Sequence, residues 1–389
     1  MSGHAPFLHE IVSSPANLDA RRIYADWLIE QGDARGEFIQ LFFELEGKIS
    51  GKRRAEIKRQ LKQEIKVQTK RDYAQSPAIK KLRNPEYRHG FIEHATIGMT
   101  DFVKFGSEIC SFVPLRSVSF TSGAKQIPNL VKCDHLKSID TIDFHGNKFS
   151  DPSFAEFADC PFIGNLNSLR VRGSAIGIET AKRLSKGKSL SLSSFSVSFA
   201  NLWDNPCSKQ ICESDNFAAL EHLKMEGVPI GKESAKHVSQ SGFRDSLRSL
   251  DLSFCNISDD GFEHLVSEPK VWPRLERLVL NECNLTDRCL DLLTHKDHRE
   301  KFPALTYLGL NFNLIGDQGL IALANSVLLR QLTNVRMSQN HLSLDGLLAL
   351  GGSKHRNPKT EFYLAKNRIR GGQLSHLIKQ YGDFGKFTA

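Results

Sequence analysis

From Ile139 onward the chain repeats one short pattern at a nearly fixed interval. It reads apolar, two others, apolar, one other, apolar, two others, then Asn, Cys or a small residue. The copies are Ile139-Ile142-Phe144-Asn147, Leu166-Leu169-Val171-Ser174, Leu192-Phe195-Val197-Ala200 and Leu220-Leu223-Met225-Val228. Leu247-Leu250-Leu252-Cys255, Leu275-Leu278-Leu280-Cys283, Leu305-Leu308-Leu310-Asn313, Leu332-Val335-Met337-Asn340 and Lys359-Phe362-Leu364-Asn367 follow. A weaker copy, Leu115-Val118-Phe120-Gly123, precedes them, and successive starts lie 24, 27, 26, 28, 27, 28, 30, 27 and 27 residues apart. A unit this short cannot bury its own apolar face, so the copies must stack into one continuous core.

Each copy has a legible local structure. Its centre alternates with period two, which makes a short strand with one face inward. The Asn or Cys that closes it sits where the chain turns, and its side chain can bond backbone groups that the turn leaves unpaired. Cys255 and Cys283 are therefore read as structural. A helix returns the chain, and its entry is marked by Ser150-Asp151-Pro152, Ser258-Asp259-Asp260, Thr286-Asp287 and Gly316-Asp317. Such residues accept hydrogen bonds from free N–H groups at a helix start. After Leu202 one copy lacks this entry; Trp203 there is read either as part of a degenerate repeat or as presented by a projecting loop.

This alternation resembles the ribonuclease-inhibitor type of leucine-rich repeat over residues 112–380. The resemblance implies an α/β fold: a right-handed solenoid, horseshoe-shaped, with parallel strands on the concave face and helices outside. About ten repeats with terminal caps are expected over residues 87–389. Phe384 and Phe387 are candidates to cover the last repeat.

Residues 1–86 follow a different pattern and are expected to form a small all-α domain. Asn17 caps one helix to about Gln31, with Ile23, Trp27 and Leu28 on one face and Gly32 as its stop. A second helix spans Arg35 to Glu46, and a third runs from Gly51 to Gln75 with Ile57, Leu61 and Ile65 as its apolar stripe. Asn84-Pro85 reads as a break, and His89 to Ile97 as a strand. The strings Tyr24-Ala-Asp26-Trp27-Leu and Gly32-Asp33-Ala-Arg35-Gly36-Glu37-Phe resemble the bacterial, planctomycete-type repeat-companion domain. That resemblance implies no activity. An ion pair from Asp26 or Asp33 to Arg35, holding the helices together, is the expected use of these residues.

The net charge of +8 is concentrated: residues 52–71 hold nine Lys or Arg against two Glu, leaving the rest of the chain near neutral. Lys52, Arg53, Arg54, Lys58, Arg59 and Lys62 are thus candidate contacts to an acidic partner or a nucleic acid. The eight cysteines form no CxxC pair, which fits reduced thiols. The start of the chain has no signal-like pattern and no apolar run approaches the roughly 20 residues needed to span a bilayer. A cytoplasmic location is expected.

No catalytic or nucleotide-binding motif is present, and no cofactor or metal is expected. His295 and His298 lack a third ligand in sequence. Ran GTPase-activating proteins share the repeat type, but no residue transfers from them. The strand positions between the core residues face outward. They are small and polar over the middle copies, whereas Arg277, Tyr307, Arg336 and Tyr363 gather toward the last ones. Tyr and Arg dominate binding energies at interfaces. These four are the candidate contacts of a non-catalytic scaffold for a protein partner. Phe199, Phe254 and Phe312 each precede a turn residue; they either line one rim or tuck under the next loop.

Overall fold

The computed structural model describes residues 4–186, 190–267, 271–295 and 300–369, together with 372, 379 and 381. His298, Phe384 and Phe387 lie outside the described residues. The chain divides into two compact units, residues 1–147 with 159–168, and residues 148–158 with 169–389.

The first unit opens with four helices, α1 (Ala5–Ser13), α2 (Leu18–Glu30), α3 (Arg35–Glu46) and α4 (Gly51–Gln75). The sequence marks the bounds of α2, α3 and α4, whereas α1, whose start has no side-chain cap, is not among the expected helices. The Asn17 side chain accepts from the Ala20 N–H at 3.3 Å. Gly32 adopts φ +70°, and Ser50 accepts from the Arg53 N–H at 3.2 Å. The face of α2 differs from expectation: Tyr24, Ala25 and Leu28 are buried, whereas Ile23 is 58% exposed. Gly36 is required by packing, since a Cβ there would lie 2.6 Å from the Ala25 carbonyl oxygen.

Three buried or half-buried ion pairs brace this part of the chain. Arg21 pairs with Glu93, and Arg35 pairs with Asp72 at 2.9 Å. Tyr87 donates to the other Asp72 oxygen at 2.7 Å. Asp33 pairs with Arg71 at 2.5 Å and accepts from the Arg35 backbone N–H at 2.9 Å. The expected pairing of Arg35 with Asp26 or Asp33 is thus corrected. The Arg35 guanidinium reaches Asp72 on α4, a partner 37 residues away that motif spacing does not show.

The segment with Asn84-Pro85 is a strand rather than a break. β1 (Arg83–Arg88) pairs antiparallel with β2 (Phe91–Ile97), with irregular register between Arg83 and Tyr87. Proline is tolerated at a sheet edge or bulge, and both conditions hold here. After α5 (Met99–Phe112), β3 (Ser117–Phe120) joins β2 in parallel. The short α6 (Ile127–Leu130) leads to β4 (Thr141–Phe144), which pairs with β3.

The second unit alternates strand and helix. It comprises α7 (Asp151–Ala158), β5 (Ser168–Arg172), α8 (Ile178–Lys186), β6 (Ser194–Ser198), α9 (Asn205–Cys212), β7 (His222–Glu226) and α10 (Lys232–Gln240). β8 (Ser249–Asp251), α11 (Ser258–Ser267), β9 (Arg277–Val279) and α12 (Asp287–Thr294) continue it. β10 (Tyr307–Gly309), α13 (Asp317–Ala324), β11 (Asn334–Arg336), α14 (Leu344–Gly351) and β12 (Glu361–Tyr363) complete it. Its strands lie side by side in chain order. The apolar positions of the repeat, among them Leu223, Leu250, Leu278, Leu308 and Val335, are buried.

Two side-chain ladders close the backbone between neighbouring repeats. Asn313 Oδ1 accepts from the N–H groups of Cys283 and Leu285 at 3.0 and 3.1 Å, while its Nδ2 donates to the Leu280 carbonyl at 2.8 Å. Asn340 and Asn367 repeat this geometry, and the Cys283 thiol takes the donor's part toward the Leu252 carbonyl at 3.1 Å. The second ladder corrects the reading of the helix entries: the carboxylate caps the next helix, not its own. Asp151 accepts from Gly177, Glu179 and Thr180 N–H groups at 2.8–2.9 Å, at the start of α8. Asp287 serves Gly316 and Gly319 at 2.7 and 2.9 Å, and Asp317 serves Ser343 at 2.8 Å.

Candidate functional site

Side chains at alternate positions of a strand face one way, and neighbouring strands lie about 4.8 Å apart. On β9 to β12 this geometry brings the four candidate residues together. Arg277 is in register with Tyr307, and Gly309 with Arg336, which is itself in register with Tyr363. The Arg277 guanidinium lies 3.7 Å from the Tyr307 ring centroid. Arg336 lies 5.6 Å from the Tyr307 ring and 4.5 Å from the Tyr363 ring. Cations and aromatic faces thus alternate across four strands, each contact being worth about 0.5–2 kcal/mol according to exposure. Gly309 leaves room for this stack, because a Cβ there would meet Val279 Cγ1 at 3.0 Å and Tyr307 Cε1 at 3.4 Å.

The electrostatics of this cluster differ from those of the sheet face before it. Lys224 there is held by Glu226 and Asp251, both at 3.1 Å, and Arg172 lies 3.9 Å from Glu226, so two cations face two carboxylates. Among the described residues neither Arg277 nor Arg336 has an acidic partner, and the buried Nε of Arg336 makes no hydrogen bond. Glu361, in register with Asn334, accepts from the Tyr363 hydroxyl at 2.7 Å, and this bond raises the Tyr363 pKa above its ordinary value. What remains open is a pair of guanidinium groups on aromatic supports, with donors suited to carboxylates.

The phenylalanine rim resolves in favour of exposure: Phe199, Phe254 and Phe312 are 42%, 42% and 45% exposed. All three have left-handed backbone, with φ of 53°, 59° and 58°. Gly146, Gly173 and Gly227 fill the same column of the repeat with φ of 60–70°, a signal present in the sequence but not used. The Phe199 ring leans over Gly227, where a Cβ would lie 2.6 Å from it, and stands 6.2 Å from Phe254. Arg172 lies 4.6 Å above Phe199. Trp203, by contrast, is fully buried, 5.6 Å from Phe195. The copy that holds it does have a helix entry, with Asp204 accepting from the Cys207 N–H at 3.2 Å.

The basic helix divides into two groups. Arg53 is engaged by Glu44 at 2.7 Å and Glu56 at 3.1 Å, and Arg54 donates to the Leu45 and Gly47 carbonyls at 2.9 and 3.3 Å. Lys52, Lys58, Arg59 and Lys62 are exposed and make no ion pair among the described residues. Of the histidine pair, only His295 is described. No cluster of three His, Cys, Asp or Glu able to hold a metal occurs among the described residues. Nor is any described helix long and apolar enough to cross a membrane.

The family profile for the leucine-rich repeat matches residues 246–266 and 303–324, the copies built on β8 and β10. The chain carries leucine-rich repeats. Its fold is an α/β leucine-rich-repeat solenoid. Human leucine-rich repeat-containing protein 75B is 35% identical over 102 residues, covering 25% of this chain and 31% of that protein. The mouse protein of the same name is 34% identical over 102 residues, covering 24% and 32%. The match to this chain therefore spans about a third of these curated relatives' length. Among solved structures, a chain of the yeast Rad7–Elc1 complex has a TM-score of 0.55 at 15% identity, over 94% of this chain and 90% of that one. That likeness is one of fold.

Proposed function

We propose that this chain is a non-catalytic protein-interaction scaffold. It holds an acidic segment of a protein partner on the strand face of its last repeats, through Arg277, Tyr307, Arg336 and Tyr363. The observation that carries this reading is the alternating stack across β9 to β12, in which two guanidinium groups are oriented by aromatic rings and form no ion pair among the described residues. Arg277 and Arg336 stand two strands apart and two residues offset along them, about 12 Å, a separation that an extended acidic peptide spans with about four residues. Rigid aromatic and Arg side chains lose little freedom on binding, which suits them to anchor a partner.

The test is a capture from nuclease-treated lysate, with partners identified by mass spectrometry. Wild type is compared with the triple variant Tyr307→Ala, Arg336→Ala, Tyr363→Ala. Anchor residues of this type contribute about 2 kcal/mol or more each, so the variant should release the partner. Circular dichroism should show an unchanged fold, because none of the three is a core residue. A partner retained equally by both proteins would place the contact elsewhere.

A further inference from the structure

The +7 segment acquires a direction once it is a helix. With 3.6 residues per turn, Lys52, Arg59, Lys62, Lys66 and Lys70 fall within an arc of about 80° on α4. The buried residues Ile57, Leu61, Gln68 and Asp72 occupy the far side. From Lys52 to Lys70 the row runs about 27 Å along the axis. All five side chains are exposed, and none forms an ion pair among the described residues. Of the other basic residues of this segment, Arg53 is committed to Glu44 and Glu56, Arg54 to backbone carbonyls and Arg71 to Asp33, whereas Lys58, exposed and about 40° beyond Lys62, flanks the row. Arg59, Lys62, Lys66 and Lys70 follow one another at three- or four-residue spacing, where like charges destabilise a helix. None of these four is offset by an ion pair among the described residues.

We propose that this face of α4 is a docking track for the phosphodiester backbone of a nucleic-acid duplex, independent of the strand-face site. A straight row of cations matches a straight, rigid polyanion that carries one charge per roughly 1.7 Å of axis. A single strand is the poorer fit, because such sites need aromatic platforms for the bases. The aromatic residue on α4 is Tyr73, whose hydroxyl is bound to the Leu82 carbonyl. A membrane surface is also a poorer fit, since an interfacial helix inserts its apolar face and that of α4 is buried in the protein. The contact is with phosphates and reads no sequence.

The test uses the full chain and fluorescence anisotropy of a labelled duplex of about 20 base pairs and arbitrary sequence, titrated across a salt series. With three to five phosphates neutralised, log K should fall against log[salt] with a slope of about −3 to −4.5. The variant Arg59→Gln, Lys62→Gln, Lys66→Gln should flatten the slope by about 2.7 and weaken binding at low salt by more than about tenfold. A control with Lys182→Gln, Lys236→Gln and Lys354→Gln, three exposed lysines of the second unit, should bind as wild type does. So should the Tyr307, Arg336, Tyr363 variant, which separates this site from the strand face. Circular dichroism checks that each variant is folded. The proposal is overturned by absence of duplex binding at low salt, by binding that survives the α4 substitutions, or by capture of phosphatidylserine vesicles in preference to the duplex.

Discussion

Replacing Asn340 by Ala tests whether the asparagine ladder holds the repeats together. Asn340 is buried; its Oδ1 accepts from the Ile315 N–H at 3.0 Å, and its Nδ2 donates to the Leu310 and Met337 carbonyls at 2.9 and 3.1 Å. The losses are unequal. The Leu310 carbonyl also receives Asn313 Nδ2 at 3.1 Å, and the Met337 carbonyl receives Asn367 Nδ2 at 2.8 Å, so both keep a donor. The Ile315 N–H keeps no acceptor. An orphaned buried N–H costs about 1–3 kcal/mol and each lost neutral bond about 0.5–1.5 kcal/mol, which together give about 3 kcal/mol. Asn340→Cys, which installs the residue used at Cys255 and Cys283, should cost about half as much, because a thiol restores a donor but is a weak acceptor. Urea denaturation followed by circular dichroism supplies the ranking. Because repeat arrays can unfold in stages, hydrogen exchange at the Ile315 amide supplies a local reading, expected to accelerate roughly a hundredfold in Asn340→Ala. An alanine variant within about 0.5 kcal/mol of wild type, with the Ile315 amide still protected, would refute the ladder as a source of stability.

In the first unit, Asp72→Ala strands the buried Arg35 guanidinium and removes the acceptor of Tyr87. It should cost about 3–5 kcal/mol in a urea midpoint, and replacing the set together (Arg35→Met, Asp72→Leu, Tyr87→Phe) should recover most of that loss. The hydrogen bonds from Arg71 hold the Asp33 carboxyl down at about 2. A depressed folded pKa contributes stability above the unfolded value near 4 and loses it as pH falls toward 2. Because this pair is half-buried, with Arg71 open to solvent, screening leaves about 1 kcal/mol or less, which Asp33→Asn should abolish from the acid limb of a pH–stability curve.

Much of this fold was written in the order of its residues. The spacing of Leu247, Leu250 and Leu252 dictates a strand, and the next copy dictates its neighbour's register, so Arg277, Tyr307, Arg336 and Tyr363 could be placed on one face before any coordinates. What stayed hidden was relational. Asp287 reads as the cap of α12, on which it sits, whereas its carboxylate serves α13, and no single repeat contains that fact. Arg35 and Asp72 lie too far apart in sequence for a motif to join them. Asn84-Pro85 concealed β1 because a rule against proline in strands is weakest at an edge, and only the sheet shows where the edge is. Trp203 seemed displaced from the pattern, yet Asp204 and Pro206 start a helix one residue later than the eye expects.

The two ladders also bear on why the last strands hold a site. From β8 on, each turn holds a Cys or Asn whose side chain bonds the preceding repeat, and Asp259, Asp287 and Asp317 at the helix starts bond the following one. The outward positions of the strands are thereby freed from structural duty. On β7 and β8 they are nevertheless consumed, since Lys224 bridges Glu226 and Asp251 and Arg172 on β5 faces Glu226, which matches two cations to two carboxylates. On β9 to β12 the corresponding positions carry cations without such bridges, supported by rings that orient them at about 0.5–2 kcal/mol per contact. An internal salt bridge would stabilise the fold at least as well as a stack that leaves two guanidinium groups and the Arg336 Nε unmatched. The stack therefore gives the fold no advantage over the bridge that β7 and β8 already use. It does give a binding surface one: oriented cations of fixed spacing whose missing partner must come from another molecule.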